Sequence, residues 1–151
     1  MDSKIGQTQL NYSCTTGVAS VNIYTGRLLF EHQDLSIGVG DYQIGVSHIY
    51  NSHIASNSYF GRGWKLNIEH ILIKNYDKDE YEYTDSYGYR HIFKWYDADI
   101  EGRNKYYDTS GLGLLLTEYT DKNIITDEVE NQMIFNLENR LEKIISNLKI
   151  T

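Results

Sequence analysis

At 151 residues, with 40% hydrophobic and 23% charged side chains, the chain has the length and polarity of a single soluble globular domain. A formal net charge of −7 gives counterion-release binding to phosphate backbones little to work with, so nucleic acid is not expected as a partner. The lone Cys14 excludes an internal disulfide and a cysteine-based zinc site. No apolar run approaches the ~18 residues of a membrane span, and Met1-Asp2-Ser3-Lys4 is not followed by the apolar core of a signal peptide.

Fourteen Tyr, twelve Gly and no Pro lean toward β-structure, because Tyr suits a pleated half-buried surface and Gly supplies turns with positive φ. Residues 1–15 are polar and aperiodic and are read as a flexible lead-in; 16–151 are read as one β domain, with a motif-bearing half at 16–70 and a series of hairpins at 71–151.

The first expected strand is Val18 to Ile23, returning through Tyr24-Thr25-Gly26-Arg27 as Leu28 to His32. Asp34 to Ile37 alternates polar and apolar, Gly38 to Asp41 breaks the run, and Tyr42, Ile44 and Val46 resume a period of two, which predicts a second hairpin. Asn51 to Ser58 reads as a loop, since Asn and Ser side chains compete with regular ladders for the backbone. Trp64, Leu66, Ile68 and His70 then share one strand face.

Beyond Ile71 the chain alternates strands with acidic turns. Asp85 to Gly88 separates Glu80–Thr84 from Arg90–Trp95, Asp108 to Gly111 separates Lys105–Tyr107 from Leu114–Tyr119, and Glu128 to Asn131 separates Ile124–Thr126 from Met133–Phe135. The first two turns share an Asp-x-x-Gly frame 108 − 85 = 23 residues apart, a spacing that suits a degenerate hairpin repeat. In the tail, Leu137, Leu141, Ile144, Ile145 and Leu148 have helical spacing, so periodicity alone favours an amphipathic helix over a hairpin. The expected fold is all-β and mainly antiparallel, consecutive β-hairpins forming a twisted sheet or sandwich, with a short C-terminal helix as the alternative at the tail.

Val21-Asn22, Thr25-Gly26, Asp34-Leu35, Tyr50-Asn51-Ser52 and Gly61-Arg62-Gly63-Trp64, in that order, resemble the segment that precedes the repeats in RHS/YD-repeat proteins, including bacterial wall-associated and polymorphic-toxin forms. Asp85-x-x-Gly88 with His91-x-Phe93, and Phe135 with Arg140-Leu141-x-x-Ile144, are similar to the turn and repeat-opening units of that family. Asn139 stands where that unit usually has Gly, His48 where the family tends to have Arg, and Ile37-Gly38 replaces a Pro-Gly. The resemblance turns the expectation at the tail to a hairpin.

The resemblance implies a module that begins or plugs a shell of YD repeats enclosing a C-terminal effector, in an extracellular or cell-surface protein. Its partners would be the downstream YD repeats of the same polypeptide. Asp34, Tyr50, Asn51, Ser52, Gly61, Gly63 and Trp64 are the structural motif it points to, with Trp64 expected as a core anchor. Exposed strand edges would add self-association.

No catalytic residue, cofactor site or metal site is expected, and the chain is read as no enzyme. Asp97-Ala98-Asp99-Ile100-Glu101-Gly102, with Asp108 at the twelfth position, resembles the opening of a calcium loop, but Arg103 and Lys105 put positive charge inside it and the flanks read as strands, so a solvated hairpin loop is favoured. The five histidines are dispersed, no Gly-x-Ser-x-Gly elbow occurs, and Gly38-Val39-Gly40 and Gly111-Leu112-Gly113 are too short for a phosphate fingerprint. Tyr76, Tyr81, Tyr83, Tyr87, Tyr89, Trp95 and Tyr96 support a competing function, a carbohydrate-binding β face, against cross-strand aromatic packing.

Overall fold

The computed structural model describes residues 9–39, 42–54, 57–58 and 60–147, and among them every regular element is a β-strand. The chain divides into two compact units, residues 1–69 with 86–88, and residues 70–85 with 89–151.

The first unit is built on a five-stranded antiparallel sheet in the order β1 (Gln9–Cys14), β2 (Gly17–Asn22), β3 (Leu28–Val39), β4 (Tyr42–Asn51) and β7 (Trp64–Leu66), beside a short pair β5 (Asn57–Ser58) and β6 (Gly61–Arg62). Residues 9–14 of the stretch read as a lead-in thus form a strand, while residues 1–8 lie outside the described residues. The expected strands Leu28–His32 and Asp34–Ile37 are one strand of 12 residues. A bulge between Gln33 and Leu35 leaves Asp34 without a partner in β4, which is why the sequence period breaks there while the strand continues. Of the expected turn Gly38 to Asp41, Gly38 and Val39 belong to β3, and Gly40-Asp41 lie outside the described residues.

The second unit is an eight-stranded antiparallel meander with the strands in strict chain order: β8 (Ile71–Asn75), β9 (Glu80–Thr84), β10 (Arg90–Ala98), β11 (Asn104–Asp108), β12 (Leu115–Glu118), β13 (Lys122–Thr126), β14 (Gln132–Asn136) and β15 (Leu141–Ile145). An antiparallel bridge between Ile71 and Arg140 joins the two ends of that order, so the sheet curls into a nearly closed barrel. Alternation then sends one residue in two inward: Leu72, Tyr81, Tyr83, Phe93, Tyr106, Leu116, Ile125 and Phe135 form the buried core.

The tail is the hairpin that the resemblance implies. Helical spacing gives way to β because Phe135 and Leu141 pair across the turn and bury against this core, a tertiary gain that outweighs local periodicity.

One turn chemistry recurs through the second unit. Asp99, Asp127 and Asn136 each accept two backbone N–H groups on Oδ1, from the residues two and four positions on: Glu101 (3.0 Å) and Arg103 (3.0 Å), Val129 (3.0 Å) and Asn131 (2.8 Å), Glu138 (3.0 Å) and Arg140 (3.0 Å). The residue three positions on, Gly102, Glu130 or Asn139, takes a left-handed φ of 76°, 68° or 60°. Asp85 and Asp108 belong to the same class, with Gly88 at φ 81° and Gly111 at φ 83°. An Asx carboxylate or amide that caps its own turn fixes strand register locally.

Candidate functional site

In the first unit the motif residues converge on the end of β4. Asn51 is buried, and every polar group of it is engaged: its N–H donates to Gly63 O (2.8 Å), its Nδ2 donates to Tyr87 O (2.8 Å), its Oδ1 accepts His53 N–H (3.0 Å), and its carbonyl accepts Ile54 N–H (3.1 Å). Ser52 completes the corner, its Oγ accepting Leu28 N–H (3.0 Å) while its own N–H donates to Leu28 O (3.0 Å). Gly63 must be glycine, since at φ 82° a methyl group there would lie 2.9 Å from both Asn51 O and Tyr50 Cε2. Gly61, at φ 105°, is less crowded: the nearest atom a methyl group there would meet is Trp64 Cδ1, at 3.9 Å.

The sheet face beside this corner is aromatic. Trp64 is half-buried and meets Tyr50 (ring centroids 5.3 Å apart), Phe30 (6.2 Å) and His48 (6.4 Å). Thr16, Phe30, His32, His48, Phe60 and Trp64 line an open concavity of about 390 Å³. At its polar end Asp34, released from the ladder by the bulge, accepts from His48 and lies 3.6 Å from His32. Where the family resemblance implies an Arg, His48 therefore makes an Asp pairing of its own.

The second unit holds two part-buried polar clusters that the sequence did not announce. At one, Tyr106 OH lies between Asp79 Oδ1 (3.1 Å) and Glu118 Oε2 (3.2 Å) with one proton to give, while Glu118 Oε1 accepts from Lys74 Nζ (2.6 Å) and Tyr81 OH (2.6 Å) and Oε2 from Asn104 Nδ2 (3.0 Å). Burial pushes the Glu118 carboxyl up, but these donors overcome it and hold the group down at about 2. Burial, together with the Glu118 charge, pushes the Tyr81 and Tyr106 phenols well up, so both stay protonated and donate.

At the other cluster, His91 Nε2 lies 3.1 Å from Asp85 Oδ2 and His91 Nδ1 lies 3.1 Å from Ser110 Oγ. The trio has the composition of a nucleophile relay, but Ser110 donates its one hydroxyl proton to Asp108, 2.6 Å from Oδ1. With that proton given to a carboxylate, Ser110 has none to pass to His91, and the imidazole bridges the Asp85 and Ser110 turns through its two ring nitrogens. Burial pushes the Asp108 carboxyl up; the Ser110 hydroxyl, the Ser110 and Leu112 N–H groups and the nearby His91 outweigh it and hold the carboxyl low.

The calcium-like run is a hairpin turn. Asp99 spends Oδ1 on its own turn and Oδ2 on Arg103 Nε (2.7 Å), and among the described residues no group of three or more His, Cys, Asp or Glu converges as a metal site. The tyrosine stretch is divided by strand alternation: Tyr81 and Tyr83 are in the core and closed to a ligand, whereas Tyr76, Tyr87, Trp95 and Tyr96 are exposed. Spacing in the sequence could have placed Tyr81 and Tyr83 together on one face, but it could not say which face closes.

A family model described as a domain of unknown function (DUF6531) matches residues 19–93. The chain is also similar to the tRNA nuclease WapA of Bacillus subtilis (strain 168), 29% identical over 126 residues that cover 83% of this chain and 5% of that protein. The tRNA(Glu)-specific nuclease WapA of Bacillus subtilis subsp. natto (strain BEST195) and the tRNA3(Ser)-specific nuclease WapA of Bacillus spizizenii match with the same identity and coverage. The chain spans about 5% of the length of these curated relatives. No solved structure matches.

These names correct one expectation. The chain was read as no enzyme because it shows no catalytic grouping of its own, yet all three relatives are nucleases by name, so that exclusion does not stand. It failed because motif reading weighs only the residues in view, and an activity named for the relatives belongs to polypeptides of which 5% is matched.

Proposed function

We propose that the chain is a structural module that begins or plugs the β-shell of an RHS/YD-repeat protein, secreted or at the cell surface, and that it packs against downstream YD repeats enclosing a C-terminal toxin. The observation that supports this best is the series of self-capped hairpin turns at Asp85, Asp99, Asp108, Asp127 and Asn136 in a chain similar to WapA over 83% of its length. A meander whose register is fixed turn by turn can be extended by further hairpins without rebuilding the preceding ones, as repeat architectures require. On this reading, the nuclease names of the relatives assign the parent polypeptide an effector that acts on tRNA.

Hydrogen exchange tests the packing. The chain is joined to the YD repeats of a WapA-type polypeptide, and the amides of β15 and β8 are compared with those of the chain alone. Docked repeats should slow exchange at these strands by about tenfold or more, because covered edges lose their local opening. Unchanged rates at both strands would overturn the proposal.

A further inference from the structure

The long arm formed by β3 and β4 has two edges, and the molecule treats them differently. Among the described residues β2 pairs with β3 only as far as Glu31, and β7 pairs with β4 only from His48 to Tyr50, so Gln33–Val39 and Tyr42–Ser47 pair there only with each other. On the β4 side Asn67 takes the place of a missing strand. Its N–H donates to Ser47 O (3.0 Å), its Oδ1 accepts Ser47 N–H (3.0 Å), and its Nδ2 donates to Gly45 O (2.9 Å).

The β3 side carries no such cap among the described residues. Alternate residues of an antiparallel strand turn N–H and C=O away from the partner strand, so this edge, about 23 Å long at ~3.3 Å per residue, is a row of donors and acceptors facing water. Leu35 and Ile37 are 54% and 65% exposed on it. From Leu35 to Gly40 there is no charge and no proline, the residues by which edges are ordinarily guarded.

We infer that the β3 edge of the arm pairs with the same edge of a second copy of this chain, antiparallel about a two-fold axis, to give one continuous β4-β3-β3-β4 ribbon. The inference goes beyond the proposed shell role and does not depend on it. Two copies at −7 each repel, so they can meet closely only where the contact itself is uncharged, and Leu35–Val39 is such a stretch. An antiparallel two-fold sets that stretch opposite itself, aliphatic across from aliphatic. The pairing also cures a local weakness, because a two-stranded ribbon alone is at best marginally stable in water and four strands are not. β1 is a second uncharged outer strand, but it already has β2, β3 and β4 behind it and gains less.

Sedimentation velocity from micromolar to near-millimolar protein tests the assignment. The wild type should move from 17.6 kDa to twice that mass and no further, since an isologous contact closes at two. Leu35→Lys and Ile37→Lys, at exposed positions, should keep their circular dichroism and remain monomeric, while Tyr12→Lys on β1 should dimerise like the wild type. A wild type that is monomeric throughout, open-ended assembly, or loss of the dimer in Tyr12→Lys with retention in Ile37→Lys would each overturn the inference.

Discussion

The two units use the same material, antiparallel hairpins with Asx-capped turns, and reach different interiors. In the second unit the meander curls until Ile71 bridges to Arg140, and eight side chains become a closed core. In the first, among the described residues, the sheet order ends openly at β1 and β7, Ile49 is the buried apolar side chain, and Trp64 is only half-buried. Closure, more than hairpin content, decides which aromatic residues become core. The first unit is held instead by polar satisfaction at a corner, through Asn51, Ser52 and the backbone of Gly63.

The largest expected effect separates these two modes directly. Phe93 is 0% exposed, and Phe93→Ala should cost about 3–5 kcal/mol, the range for emptying an aromatic core site. Trp64→Ala, at a larger but half-open ring, should cost less, about 1–3 kcal/mol, because part of its surface is already in water. Urea denaturation of both variants checks the ranking, and a costlier Trp64→Ala would mean that the open sheet hides a core of its own.

The next effect probes the corner. Gly63→Ala combines a left-handed φ with a methyl group 2.9 Å from Asn51 O and Tyr50 Cε2, and should cost about 2–3 kcal/mol. Gly102→Ala shares the left-handed φ, 76°, but meets nothing within 4 Å, so about 1 kcal/mol is expected from the backbone alone. Equal costs for the two, measured by thermal unfolding, would remove close approach as the reason for glycine at 63.

Much of this architecture was legible in the residues, and the failures have physical causes. Glu80–Thr84 was read with its bounds intact because Glu and Tyr alternate there up to the clear turn at Asp85 to Gly88. The Asp-x-x-Gly frame was read at Asp85 and Asp108 but not at Asp99, where the neighbouring carboxylates drew the same four residues toward a calcium loop. At Asp127 the frame was invisible, because Glu130 occupies the left-handed position that glycine marks elsewhere; at Asn136 only the family resemblance showed Asn139 standing in for that glycine. The Glu118 and His91 clusters could not be read at all. Lys74 and Glu118 are 44 residues apart and meet across the curled meander, and His91 reaches Ser110, 19 residues on, through the neighbouring turn.

Acid should expose the Glu118 cluster. Its carboxyl is held at about 2 in the folded chain against an ordinary 4.5, so the unfolded state binds the proton more tightly. The stability that Glu118 contributes is therefore fully present above about 4.5 and is lost as the pH falls toward about 2. Glu118→Gln should be less stable than the wild type at neutral pH, with the gap narrowing through that window. A gap that stays constant from pH 6 to pH 2.5, on the order of those two limits, would show that the Lys74, Tyr81 and Asn104 contacts do not favour the ionised form.

The smallest expected effect has the opposite sign and tests the turn frame itself. Glu130 sits at φ 68° at the tip of the β13–β14 hairpin, a conformation that costs an L-residue roughly 1–2 kcal/mol. Its side chain recovers little there, accepting one exposed hydrogen bond from Asn147 Nδ2 (2.7 Å). Glu130→Gly removes the strain at the expense of extra chain entropy in the unfolded state, for a net gain of about 0.5–1 kcal/mol. Asn139→Gly, at φ 60°, should gain less, because Asn tolerates the left-handed region and Asn139 Oδ1 accepts from Asn123 Nδ2 (3.0 Å). Thermal unfolding of the two variants orders them, and a Glu130→Gly protein that melts below the wild type would show that the hairpin is registered by side-chain contacts rather than by the left-handed residue in the Asx frame.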